Sequence, residues 1–177
     1  LPLGYQYILN DEGKQRILTY LNPEAADALN EGYHTAQSQM VIGSGGMTGK
    51  GFFQEGTLTQ LGYLPDDHTD YIFSSAVEAM GFIGGVIIIA LYFILLLRTL
   101  YIAARAKDHF GSLICIGVLS MMLAHIFENI GMVMGIMPVT GIPLPFISYG
   151  GSNMIACMLA YGLVIGVWLR RPTKRTG

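Results

Sequence analysis

Apolar residues are concentrated in three long stretches in the second half of the chain. The stretches run over residues 72–97, 112–137 and 149–169, and the residues before them are far more polar. A helix needs about 20 residues to cross ~30 Å of hydrocarbon, and each stretch reaches that length. Three buried helices of a large soluble core are the alternative, but soluble helices seldom stay apolar for so long. We therefore predict three transmembrane helices over these ranges, in an all-α integral membrane fold.

The composition agrees with a membrane protein. Only 12% of the 177 residues are charged, against about 25% in soluble domains, and the mean hydropathy is +0.48. The net charge of −2 and the pI of about 6.1 exclude an electrostatic nucleic-acid binder. Cys115 and Cys157 both lie in apolar stretches, so we expect small buried side chains rather than a disulfide framework.

The uneven distribution of charge predicts the orientation of the helices. Residues 1–72 hold nine acids and three bases, whereas the rest of the chain holds three acids and seven bases. These seven bases lie in 98–111 and 170–177, and short basic connections stay on the cytoplasmic side. The C-terminus is then cytoplasmic, and the connection 138–148 is extracytoplasmic.

The acidic segment 1–71 lies outside the cytoplasm by the same reasoning. It is too long to be a simple turn, so we predict a large extracytoplasmic loop or lid. Residues 16–21 and 23–29 are typical of short helices, because Asn22 and Pro23 supply a helix start. An amphipathic helix lying on the bilayer is the alternative for this part.

Glycine dominates the segment 43–51 and suggests two different roles. The segment does not match the phosphate-binding Walker motif, because Ser44 stands where the motif needs a glycine and Gly51 where it needs a serine or threonine. The segment does not match the glycine pattern of a dinucleotide-binding loop either, because Thr48 stands where the pattern needs a glycine. What remains is a backbone that permits close approach, next to Lys50. It forms either a structural turn or a loop that presents N–H groups to an anion.

Three carboxylates and a histidine precede the first apolar stretch. Asp66 and Asp67 are typical helix caps, and His68 with Asp70 is too short a pattern to predict a metal site. Asp70 differs because it lies where the hydrocarbon begins. Partial desolvation there strengthens a carboxylate as a base. From the residues alone, a functional role and a capping role for Asp70 both stay open.

His125 and Glu128 lie three residues apart on one face of the second predicted membrane helix. They line a polar cavity or form a hydrogen-bonded packing device between helices. A zinc protease is excluded because the second histidine of its motif is missing. Ser148 and Ser152 lack the glycine pattern of a nucleophile elbow, so a serine hydrolase has no support.

Several blocks of the sequence resemble the SEDS family of bacterial membrane proteins (shape, elongation, division and sporulation). The blocks are residues 43–51, 64–73, 129–132 and 137–152. The Gly-Ile-Pro-Leu-Pro segment that begins at Gly141 is more similar to the RodA-like elongation branch than to the FtsW-like division branch. The likeness covers residues 16–167 and corresponds to the C-terminal portion of the family, so we expect further apolar spans upstream within a larger polytopic bundle. Ala79 departs from the family pattern, since a second acid commonly follows Glu78.

The resemblance implies a peptidoglycan glycosyltransferase of the bacterial cytoplasmic membrane, which polymerises lipid II into glycan strands for cell-wall elongation and cell shape. Asp70 corresponds to the essential acid of the family. The pyrophosphate of the leaving lipid must be neutralised by basic or N–H groups or by a divalent cation such as Mg²⁺ or Mn²⁺, and the sequence itself specifies no cofactor and no metal ligand. A class B penicillin-binding protein is the implied protein partner. Further candidate substrate-binding residues are Gly45, Gly46, Lys50, His68, Glu78 and Ser148.

Two other functions remain open at this point. The chain could belong to a transporter (flippase) of lipid-linked peptidoglycan precursors, with His125 and Glu128 lining the pathway. It could also belong to a scaffold that activates a class B penicillin-binding protein. Three helices cannot enclose a site by themselves, so we expect this polypeptide to be inactive when it is expressed alone.

Overall fold

The described part of the protein is all-α. The computed structural model describes residues 31–52, 57–59 and 70–170, and no strand occurs among them. Its helices are α1 (Glu31–Ser44), α2 (Ile72–Ala104), α3 (His109–Val133) and α4 (Gly151–Leu169). The predicted helices at 16–21 and 23–29, like His68 and residues 171–177, lie outside the described residues.

The helices α2, α3 and α4 are long and apolar enough to cross a membrane. The prediction of three membrane helices is therefore confirmed, although their ends differ from the predicted ones. Helix α2 continues seven residues past 97 to Ala104, and the guanidinium groups of Arg98 and Arg105 lie over the ring of Tyr101 at this end. A helix does not have to stop where its apolar stretch stops, because cations and aromatic rings are favourable at the membrane interface.

A glycine ends α3 four residues before the predicted boundary at 137. Gly135 has φ of +75°, and its N–H donates to the carbonyl of Met132 at 3.0 Å. The N–H of Ile136 donates to the carbonyl of Gly131 at 2.8 Å. This pair of bonds is a Schellman motif, in which a residue with positive φ closes the last helical turn. Residues 134–137 are apolar but not helical for this reason.

Helix α3 is central in the packing. It contacts both α2 and α4, while α1 packs against α2 and against the end of α3. The hydroxyl of Ser38 in α1 donates to the carbonyl of Val133 at 2.9 Å, and the amide of Gln39 donates to the carbonyl of Met134 at 3.0 Å. Cys115 and Cys157 are buried and free, as expected.

Large apolar side chains cover the outer faces of α2, α3 and α4. Leu91 is 61% exposed, Phe127 59% and Leu159 67% in this chain. Such surfaces are stable only against lipid or against other helices. The chain is therefore part of a multi-pass integral membrane protein.

Candidate functional site

Helix α2 is broken at Gly81, where φ is +73° and ψ −176°. In an unbroken helix the N–H groups of Phe82 and Ile83 would donate to the carbonyls four residues earlier. Here the N–H of Phe82 donates to the carbonyl of Gly46 at 2.8 Å, and that of Ile83 donates to the carbonyl of Met47 at 3.3 Å. The glycine segment thus supplies the acceptors that the break in α2 removes.

The same segment also satisfies the carbonyls on the other side of the break. The N–H of Lys50 donates to the carbonyl of Glu78 at 3.0 Å, and the N–H of Gly51 donates to the carbonyl of Ala79 at 2.9 Å. Four hydrogen bonds to the segment therefore replace two bonds within the helix. Backbone groups cannot be left unpaired near hydrocarbon, so residues 46–51 are needed for this break to exist.

The close approach depends on glycines at the contact. A methyl group on Gly45 would lie 2.5 Å from the carbonyl oxygen of Val77, and one on Gly81 would lie 2.5 Å from that of Met47. A side chain on Gly49 would collide with the carbonyl of Ala79. Gly46 has open space around it but has φ of +57°, which favours glycine. These contacts favour the structural interpretation of Gly45 and Gly46, and anion binding by them stays a prediction.

Glu78 is the polar centre of this junction, and its side chain is only 1% exposed. Its carboxylate accepts hydrogen bonds from Lys50 Nζ at 2.9 Å, from Ser44 Oγ at 3.0 Å and from the N–H of Leu58 at 2.8 Å. Thr59 donates two more, from its N–H at 3.1 Å and from its hydroxyl. A buried carboxylate is tolerated when it is paired and fully hydrogen-bonded. Glu78 therefore ties α1, Lys50 and residues 58–59 to α2.

Asp70 lies two residues before α2 and is half-buried. Its carboxylate is next to the connection between α3 and α4, because a methyl group on Gly141 would lie 3.2 Å from Asp70 Oδ2. Gly141 has φ of +71°. The backbone carbonyl of Asp70 accepts a hydrogen bond from Asn129 Nδ2 at 2.9 Å. The residue predicted to be catalytic is thus held at one end of the helices, where three segments of the chain meet.

Asn129 contacts this site and was not among the predicted site residues. It is fully buried in α3, and its Nδ2 also donates to the carbonyl of Ile142 at 2.8 Å. An amide inside an apolar stretch is costly unless it has partners, and Asn129 is the only amide side chain in residues 112–137. That isolation is the signal in the sequence that could have identified it.

Ser148 lies in the connection before α4 and is 3% exposed. Its hydroxyl accepts a hydrogen bond from the N–H of Leu144 at 2.7 Å, and its own N–H donates to the carbonyl of Leu144 at 3.0 Å. Ser148 therefore closes a turn over 144–148. Substrate binding by Ser148 stays a prediction.

His125 and Glu128 are both half-buried on α3. Within residues 31–52, 57–59 and 70–170 no hydrogen bond joins their side chains, and the buried Nδ1 of His125 has no partner there. Both interpretations of the pair, the lining of a polar cavity and a hydrogen-bonded packing device between helices, stay predictions.

The carboxylates of Glu78 and Asp70 can be tested as ligands for a metal ion. Glu78 is saturated by five donors, and no group of three or more histidine, cysteine, aspartate or glutamate residues that could hold a metal ion occurs in the described ranges. Asp70 alone does not provide a ligand set for a divalent cation. The described residues therefore do not fit such an ion by themselves.

The sequence pattern of the FtsW/RodA/SpoVE proteins, described as cell cycle protein, matches residues 3–171 of the chain. The chain is 44% identical over 171 residues to the peptidoglycan glycosyltransferase MrdB of Escherichia coli K12. This match covers 97% of this chain and 46% of that protein. It is 44% identical over 164 residues to the peptidoglycan glycosyltransferase RodA of Treponema pallidum, covering 93% of this chain and 37% of that protein.

Two solved structures resemble the fold. The first matches with a TM-score of 0.75 and 32% identity, and the match covers 98% of this chain and 46% of that chain. It is described as the structural coordination of polymerization and crosslinking by a peptidoglycan synthase complex. The other, an aspartate-to-alanine mutant of the rod shape determining protein RodA of Thermus thermophilus, matches with a TM-score of 0.58 and 30% identity over 92% of this chain and 51% of that chain. The chain spans less than half the length of the curated relatives named above. It belongs to the FtsW/RodA/SpoVE family, the SEDS family of bacterial cytoplasmic membrane proteins.

Proposed function

We propose that the protein containing this chain is a peptidoglycan glycosyltransferase that polymerises lipid II for cell-wall elongation, with Asp70 as its catalytic base. The relatives named MrdB and RodA support the reaction and the elongation role. The observation that carries the proposal is the placement of Asp70. Asp70 is half-buried and lies two residues before a membrane helix, and its carboxylate is close to the backbone at Gly141.

The chemistry requires a base at such a place. A sugar hydroxyl is a poor nucleophile until its proton is removed, and a positioned carboxylate removes it as the new glycosidic C–O bond forms. The C–O bond between the donor sugar and the lipid pyrophosphate breaks in the same step, and the pyrophosphate leaves with the electron pair. Because the substrate is half lipid, the reaction has to occur at a membrane boundary, and Asp70 lies two residues before a helix that is long and apolar enough to cross a membrane.

The leaving pyrophosphate needs positive charge beyond what the described residues offer freely. Lys50 is the nearest base along the chain, but its ammonium is already paired with Glu78 at 2.9 Å. A divalent cation, Mg²⁺ or Mn²⁺, would supply that charge when bound. His68 stays a candidate for substrate binding outside the described residues.

We place the site on the extracytoplasmic side. The positive-inside rule puts the basic end of α2, with Arg98 and Arg105, in the cytoplasm, and Asp70 is at the opposite end of this helix. Residues 1–71 are then extracytoplasmic and the C-terminus is cytoplasmic. Since one similar structure is a peptidoglycan synthase complex, we also propose a class B penicillin-binding protein as partner.

The test uses the full-length gene product in liposomes with fluorescent lipid II. Wild-type protein is expected to form glycan polymer, and the Asp70→Asn variant is expected to form it at least about 100-fold more slowly while it folds normally and still binds its partner. Unchanged polymerisation in Asp70→Asn would overturn the proposal. Loss of lipid II transport in Glu128→Gln with retained polymerisation would favour the transporter, and partner activation without any polymerisation would favour the scaffold. Residues 1–177 alone are expected to be inactive, because the site lacks enclosing helices.

A further inference from the structure

Asn129 joins the backbone at Asp70 to the connection between α3 and α4. Its side chain is 0% exposed, although it lies in an apolar membrane helix. Asn129 Nδ2 donates to the carbonyl of Asp70 at 2.9 Å and to the carbonyl of Ile142 at 2.8 Å. A primary amide has two N–H groups, so these two carbonyls use its whole donor capacity.

The two carbonyls belong to segments that are far apart along the chain. Asp70 lies two residues before α2, whereas Ile142 follows Gly141, beside which the Asp70 carboxylate lies. Asn129 therefore holds both the backbone that carries this carboxylate and the backbone against which the carboxylate rests. The amide thus links the backbone at Asp70 to the connection 138–148.

The burial of the remaining polar atom of Asn129, Oδ1, does not stabilise the fold. Oδ1 is buried and has no hydrogen-bond partner among the residues that the structure describes. Burial of an acceptor without a partner costs free energy, and an apolar side chain of similar size would avoid the cost. The presence of an asparagine at this buried position is therefore explained by the two hydrogen bonds that its Nδ2 donates.

We infer that Asn129 is a positioning residue, which holds Asp70 against the connection 138–148 so that its carboxylate can take the proton of the acceptor hydroxyl. This inference rests on the proposed function. Asn129 acts through Asp70 and does not itself touch the reacting atoms. A misplacement of about 1 Å in a catalytic group can cost ~100-fold in rate, so the loss of Asn129 should lower kcat rather than raise KM.

The test measures kcat and KM for fluorescent lipid II with the full-length gene product in liposomes. Asn129→Leu keeps the branching and the number of heavy atoms of the side chain and removes both donated bonds, and it is expected to lower kcat by about 10- to 100-fold with little change in KM. Thr99→Val is the matched control, because it also removes a buried polar group from a membrane helix. The hydroxyl of Thr99 donates to the carbonyl of Leu95, at the other end of α2 from Asp70. We expect its kcat to stay within about twofold of wild type.

A double-mutant cycle separates positioning from a general structural role. In an Asp70→Glu background the carboxylate is already displaced, so Asn129→Leu is expected to cost much less than it does in the wild type. Fully additive losses in folded protein would overturn the inference, and so would a wild-type kcat in folded Asn129→Leu. Polymerisation by Asp70→Asn would instead defeat the proposed function itself, so the two failures are distinguishable.

A second variant covers the case in which Asn129→Leu does not fold. Gly141→Ala crowds the Asp70 carboxylate from the side of the connection, with a methyl group 3.2 Å from Oδ2 at a residue with φ of +71°. A loss confined to kcat supports the inference. A wild-type kcat in folded Gly141→Ala would count against it.

Discussion

Lys50 and Glu78 are bonded to each other twice. The ammonium of Lys50 lies 2.9 Å from the buried carboxylate of Glu78, and the peptide N–H of Lys50 donates to the peptide carbonyl of Glu78 at 3.0 Å. The first bond neutralises a buried charge, and the second satisfies a carbonyl freed by the break at Gly81. The same pair therefore joins the glycine segment to α2 through both side chains and backbone.

Glu78→Gln is expected to destabilise the protein by about 2–4 kcal/mol, because charged hydrogen bonds are lost and a buried donor then faces other donors. The measurement is the free energy of unfolding of the full-length gene product in detergent. Glu128→Gln is the control, since no ion pair of Glu128 occurs in the part of the chain that the structure describes, and we expect a change near zero. A Glu78→Gln variant as stable as the wild type would contradict the assigned role.

The pair can also be tested for coupling. Glu78→Gln and Lys50→Met in the same protein should cost less than the sum of the single changes, by about 1–3 kcal/mol, because both remove the same interaction. Additive losses would show that the two side chains act independently.

The close approach of the glycine segment predicts different outcomes for two neighbouring glycines. Gly45→Ala is expected to cost about 1–3 kcal/mol, since the added methyl group would lie 2.5 Å from a carbonyl oxygen of α2. Gly43→Ala is the matched control, because nothing lies within 4 Å of its added methyl group and alanine favours the helix. Thermal unfolding in detergent measures both. Equal midpoints for the two variants would contradict the described contact.

The predicted orientation can be checked with single introduced cysteines. Tyr149 and Phe110 are 81% and 75% exposed and lie at opposite ends of the helices, while the native Cys115 and Cys157 are buried and should react slowly. In intact cells a membrane-impermeant maleimide is expected to label Tyr149→Cys, and to label Phe110→Cys only after permeabilisation. The reverse pattern would invert the assigned topology.

The sequence predicted the three membrane helices because length and apolarity alone determine them. It did not predict α1, because residues 31–44 have no apolar stripe and the helix is held by tertiary bonds such as that from Ser38 to Val133. The break at Gly81 was equally hidden, since Gly84 and Gly85 in the same stretch remain helical. What distinguishes Gly81 is the distant segment 46–51 that bonds to its neighbours.

The candidate site likewise contains residues that the sequence identified and contacts that it did not predict. Asp70 could be selected from its position at the start of an apolar stretch and from the family resemblance. The partners of Glu78 and the bridge made by Asn129 could not be predicted, because these bonds join residues that are 13 to 59 positions apart along the chain. Such pairings are set by packing rather than by local pattern.

The most direct test of the central claim is the rate of glycan polymerisation by purified full-length Asp70→Asn at saturating lipid II. If Asp70 is the catalytic base, kcat should fall by about 100-fold or more, while lipid II binding and the unfolding midpoint stay near those of the wild type. Asp70→Glu, which keeps a carboxylate, should retain more activity than Asp70→Asn. A kcat for folded Asp70→Asn within a few-fold of the wild type would contradict the account.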